Sequence, residues 1–238
     1  MLLIAVCAFS VPVWFDPAIY YHSFSAPRQH DTVHFISAQQ RNVTHEEFEH
    51  RMQARVYGEY SQEAANELWE TYDYLDEHAP ALTSVAKSIT IIPERFDTRY
   101  AGQAHGQRMI LRYDAQSGTI IHELAHLHSF ALDNGFWDEW ISISADDYRH
   151  KIPVMLYLDL HPTNDPEYPK DGFVSSYGAG NAAEDIATFV RAAHDHPHTF
   201  SKVPIHDVHK YQRKLHLLKI YGFISDDIHQ QALMHLPN

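Results

Sequence analysis

The stretch "SGTIIHELAHLHSFAL" (117–132) constrains this chain more than any other. Its apolar residues Ile120, Ile121, Leu124, Ala125 and Leu127 alternate at helical spacing with no proline between them. That pattern predicts a helix packed in the interior. His122 and His126 stand four apart, so a helix puts both imidazoles on one face. Glu123 lies beside the first of them. A histidine–glutamate–histidine set in an apolar setting is unfavourable as bare polar groups and is relieved by a shared cation. Zinc accepts imidazole nitrogen readily, and a hydrolytic site needs three protein ligands and an open position for water. Glu123 is then placed to reach that water as a general base without binding the ion.

Histidine is so common here, 20 of 238 residues, that His-Glu-x-x-His arises by chance on the order of one time in ten. The apolar neighbours, rather than the motif alone, argue against chance. His128, two residues past His126, points off the shared face and reads as a supporting or surface residue. A third ligand must come from elsewhere. A nearby glycine-plus-histidine continuation is excluded, since Ser129 and Leu132 hold those places. A cysteine ligand is excluded in practice, because the single cysteine, Cys7, is poorly placed. A glutamate on a later helix remains, and "GFVSSYGAGNAAEDIATFV" (172–190) offers Glu184.

The pairing of "HELAH" with "FVSSYGAGNAAEDIA" resembles the gluzincin metallopeptidases of the lethal-factor and Pro-Pro endopeptidase type. The resemblance covers 119–130 and 172–190. It implies a zincin-like domain that binds one Zn2+ ion through His122, His126 and Glu184, cleaves peptide or protein substrates, and uses Tyr177 to steady the oxyanion. A phenol aimed at developing negative charge fits that role. Gly178 and Gly180 separate Tyr177 from the next helix and place it on the preceding loop. Two positions depart from the family pattern. Ala182 stands where proline is usual, and Thr188 stands where an acid commonly orients a ligating histidine. Asp185, Asp138, Glu139 or a backbone carbonyl has to serve instead. The alternative reading is a non-catalytic metal-binding or interaction domain that has kept the zinc helix.

The rest of the chain predicts an α+β fold, mostly helical, with a small sheet beside the motif helix. Residues 41–238 read as the catalytic domain. Thr44 and Glu47 form a capping-box signature for a helix carrying Phe48, Met52 and Val56. A second helix spans about 61–78. "DTVHFISA" (31–38), "SVAKSITIIP" (84–93) and "RMILRYD" (108–114) read as strands, with Tyr113 bordering the cleft and Arg112 solvated. "FWDEWISIS" and "PVMLYLDL" are apolar segments of undecided type, and Trp137 and Trp140 read as core. "HPTNDPEYPKDG" (161–172) is a loop, either a flap or a surface excursion. Helices follow at about 182–193, 207–221 and 225–235. "HDHPH" (194–198) reads as a polar helix exit.

The apolar start (1–25) resembles the apolar part of a secretory signal without its basic leader, which points to a secreted or extracytoplasmic protein; the alternative is a buried N-terminal strand. Residues 26–40 are a linker or first strand. No stretch predicts a stable membrane span. The net charge of −13 repels phosphate, so no nucleic-acid partner is expected.

Overall fold

A computed structural model describes residues 33–36, 40–58, 60–96, 100–148 and 168–237. The apolar start, the segment "PVMLYLDL" and most of the 161–172 loop lie outside the described residues, and with them the expectations of a signal and a flap. Strands β1 (Val33–Ile36) and β2 (Gln40–Val43) pair as a two-stranded antiparallel ribbon apart from the main sheet. Helix α1 (His45–Met52) starts at a complete capping box: Thr44 Oγ1 accepts from the Glu47 amide, and the Thr44 amide donates to Glu47 Oε2. The helix is shorter than expected. Gln53 turns into the left-handed region (φ 50) and ends it. Val56 is therefore not a helical residue. It sits in β3 (Arg55–Tyr57), where its side chain meets the core from a strand.

Helix α2 (Gln62–His78) is capped by Ser61 and stops before Pro80, which opens the short helix α3 (Pro80–Thr83). β4 (Ser88–Ile92), β5 (Gly102–His105) and β6 (Arg108–Arg112) complete a four-stranded sheet in the order β3-β4-β6-β5. β3, β4 and β6 are parallel, and β5 returns antiparallel along β6. Ile89, Ile91, Met109 and Leu111 alternate into the core, and the residues between them stay half-exposed. Among the described residues five α-helices follow the sheet. The first three are α4 (Ser117–Ala131), α5 (Asn134–Ile143) and α6 (Ala182–Asp195). Helices α7 (Val208–Ile220) and α8 (Asp226–His235) close the chain. "FWDEWISIS" is thus mainly helical, capped by Asp133, whose side chain accepts from the Phe136 amide. The described part is α+β, dominated by helix, with the small sheet against α4. No helix among the described residues is long and apolar enough to cross a membrane.

The helix exit at 194–198 divides into two environments. His196 and His198 lie on the turn after α6, as expected of a polar exit. His194 instead packs inside, with Nδ1 3.1 Å from the Tyr74 hydroxyl and Nε2 3.0 Å from the Phe223 carbonyl. Those partners suit a neutral ring that accepts from the phenol and donates to the carbonyl. Burial pushes its pKa down to about 4, with His78 adding like-charge repulsion. An unfolded histidine titrates near 6.5. The neutral ring's contribution is therefore complete above about pH 6.5 and is lost as the pH falls toward 4. The loss amounts to at most about 3 kcal/mol, less to the extent that water reaches the ring. In urea titrations at pH 7 and pH 5, His194→Gln should narrow the stability gap between the two pH values; an unchanged gap would assign the acid sensitivity to other histidines.

Candidate metal centre

Helix α4 begins without help from its own sequence. Its N-cap, Gln116, makes no side-chain cap bond. Glu67, on α2, fills the gap, its Oε1 accepting from the Ser117 amide at 2.6 Å. Gly118 lets α6 come close: a Cβ there would sit 2.1 Å from Asp195 Oδ2 and 2.7 Å from Arg191 Nε. The helix is thereby clamped between α2 and α6, its apolar residues Ile120, Ile121, Leu124 and Ala125 fully in the core. His122, Glu123 and His126 are carried on this rigid element.

Glu184 comes from the first turn of α6. Asn181 caps that helix by accepting from the Glu184 amide at 3.0 Å, and a carboxylate in the first turn is favoured by the helix dipole. The structure brings the three expected ligands together. Glu184 Oε2 is 3.2 Å from His122 Nε2 and 3.2 Å from His126 Nε2, and the two nitrogens are 3.1 Å apart. As plain hydrogen bonds this is a poor arrangement, because two ring N–H groups aimed at one oxygen would also face each other. As a donor set it fits a cation: ligands about 2.0–2.1 Å from a tetrahedral zinc are about 3.3 Å from one another. One imidazole pair and one carboxylate form three corners, and these residues could hold a metal ion.

Electrostatics follow from burial and proximity. Burial alone would raise Glu184, but the two imidazoles outweigh it and hold the carboxyl well below its usual range. Burial lowers His122. At His126 burial pulls the same way, but the charges of Glu184 and Glu123 overcome it and raise the ring. Glu123 is buried, and desolvation pushes it up to about 8, with Glu184 adding to the rise and His126 opposing it. It lies under strand β5: a Cβ on Gly102 would come within 2.6 Å of Glu123 Cγ and 2.8 Å of Oε1. Among the described residues β5 is an edge of the sheet. Tyr113, expected to border the cleft, follows β6, which is an inner strand between β4 and β5. Arg112 is paired with Asp114 beside it.

Tyr177 sits on the loop before α6, followed by a single 3-10 turn at Gly178–Gly180. Gly178 lies tightly against α6, since a Cβ there would be 2.5 Å from Thr188 Oγ1. The Tyr177 ring centre is 6.1 Å from that of His122. Burial and then the neighbouring Glu184 carboxylate push its phenol well above the ordinary value, so it is a proton-bearing donor at neutral pH. His128 is off the shared face as expected, tied to the Tyr221 carbonyl at 2.7 Å.

None of the side chains offered in place of the acid at Thr188 does that work. Asp138 and Glu139 are exposed on α5. Asp185 is fully buried and engaged elsewhere: its Oδ2 accepts from Trp140 Nε1 at 2.8 Å, the Tyr148 hydroxyl at 2.7 Å and Lys214 Nζ at 2.6 Å. Burial pushes Asp185 up and Lys214 down, and each charge resists the other's shift. Thr188 turns back to its own helix, donating to the Glu184 carbonyl at 2.7 Å. Nδ1 of His126 is left buried with no hydrogen-bond partner among the described residues. Trp140 is core, as expected, while Trp137 is only partly buried and donates to the Ser129 carbonyl.

Three features of this region went unread in the sequence: the edge strand β5, the Glu67 cap and the buried Lys214. Only the last left a trace, since Tyr211, Leu215 and Leu218 form an apolar stripe and Lys214 falls on it. Comparisons with protein-family models, with curated proteins and with solved structures find nothing that matches this chain.

Proposed function

We propose that the chain is a zinc-dependent peptidase of the gluzincin type, with a zincin-like domain and one Zn2+ held by His122, His126 and Glu184. The observation that carries this reading is the triangle of ligand atoms, 3.1 to 3.2 Å on each side, set in the interior beside a buried glutamate. When bound, zinc supplies Lewis acidity toward a carbonyl oxygen and toward water. Glu123 takes the proton from the attacking water and later passes it to the leaving amine. To act as the base the carboxyl must be ionised; desolvation opposes that form, while His126 and a cation held by the site favour it. Tyr177 donates a hydrogen bond to the substrate oxygen as it gains charge. A peptide or protein substrate pairs its main chain along the outer edge of β5, above Glu123. The apolar start of the chain supports action outside the cytoplasm.

The test is zinc content together with cleavage of a peptide library, with and without a chelator. One zinc per chain, cleavage lost on chelation and restored by zinc, is the expected outcome; metal-free protein, or cleavage indifferent to chelation, would end the proposal. Tyr177→Phe should keep the zinc and lower kcat by about 10²–10³-fold, the worth of one such donor. A second reading, metal binding without catalysis, is favoured by Nδ1 of His126, which has no hydrogen-bond partner among the described residues. It predicts zinc retention with no cleavage of any peptide in the library.

A further inference from the structure

Two fully buried charges take no part in the proposed chemistry. Asp185 and Lys214 both have 0% exposure. Removing an ion pair from water is unfavourable, and an apolar pair of the same volume commonly serves a core as well. What an ion pair adds is direction. Asp185 follows Glu184 in the first turn of α6. Lys214, midway along α7, donates to Asp185 Oδ2 at 2.6 Å and to the Gly172 carbonyl at 2.7 Å. Gly172 opens the stretch that ends at Tyr177. Tyr211, one turn earlier on α7, donates to the next carbonyl, Phe173, at 2.5 Å. The rings of Phe173, Trp140 and Phe189 surround the ammonium, with centres 4.5, 5.1 and 5.5 Å away, and leave it little freedom to move. One side chain therefore ties the helix that carries Glu184 to the loop that carries Tyr177.

We infer that Lys214 and Asp185 are a positioning pair that fixes Glu184 relative to Tyr177. The inference rests on the proposed reading, in which those two side chains serve one site. Neither Asp185 nor Lys214 touches substrate; they act through their neighbours, where a displacement of about 1 Å can cost 10²-fold in rate.

The test uses Asp185→Asn, which keeps an acceptor for Trp140 and Tyr148, and the double variant Asp185→Asn with Lys214→Met, which buries no charge. Amide hydrogen exchange is followed along the chain, and zinc affinity is measured by competition with a chelator. Exchange across 172–186 should quicken by about 10-fold or more while α2 and the sheet stay as in the wild type. The zinc Kd should rise about 10–100-fold, as for other supporting partners of ligands. Wild-type exchange across 172–186 in both variants overturns the inference. So does faster exchange everywhere in both, which would make the pair a purely structural element. If the wild type itself binds no zinc, that result counts against the proposed function, and exchange alone decides the positioning role.

Discussion

Glu123→Gln should lower kcat for peptide hydrolysis by about 10²–10⁴-fold, the range for losing a positioned general base, while zinc stays bound. The amide has the volume of the carboxyl it replaces, so the close fit under Gly102 is preserved. It cannot take up a proton in the relevant range, and that is the one property removed. Since burial already disfavours the charged form of Glu123, the variant should fold at least as stably as the wild type. Steady-state kinetics on the best library peptide, with elemental analysis of the same preparation, provide the check. Undiminished turnover would withdraw the base from position 123. Zinc lost along with turnover would instead place Glu123 among the groups that hold the ion.

The largest stability effect is expected at Lys214. Lys214→Ala leaves the Asp185 carboxyl at 0% exposure without its cation, and breaking a buried pair in this way costs about 3–5 kcal/mol. Domains of this kind are stable by about 5–15 kcal/mol, so the loss is a large share. Its pH dependence has a definite sign. Without the ammonium the acid prefers its neutral form in the interior, so its folded pKa lies above the unfolded value of about 3.9. Such a group favours folding below that value and loses the advantage as the pH rises. The deficit relative to wild type should therefore narrow toward acid pH. Urea unfolding at pH 7 and pH 5 measures both parts. A variant as stable as wild type at pH 7 would show that the pair contributes nothing to the fold.

Part of the site could be read from local pattern, because the apolar spacing of 120–127 marks a helix even though its first turn has no cap of its own. His122 and His126 converge through helical spacing alone. Glu184 and Tyr177 are legible through the resemblance of 172–190, and the Asn181 cap that sets the start of α6 emerges from the structure. What stayed hidden depends on contacts distant in sequence. β5 contains Gly102, Gln103, Ala104 and His105, which have little strand preference, and it is a strand because β6 pairs with it. Val56 continues the helical spacing of Phe48 and Met52, yet Gln53 leaves the helix and the parallel pairing with β4 claims the residue instead. The environment of Asp185 depends on a lysine 29 positions away. No spacing rule along one helix reaches that far.

The clasp between Glu67 and Ser117 spans 50 positions of sequence, and it bears on how firmly the motif helix starts. The helix bearing the imidazoles has fifteen residues, near the length at which an isolated helix is marginal in water, and its first turn carries no cap of its own. Its opening turn is therefore on loan from α2. With α2 undocked the first turn is expected to fray, so the start of the helix that carries His122, Glu123 and His126 depends on a contact made far along the chain.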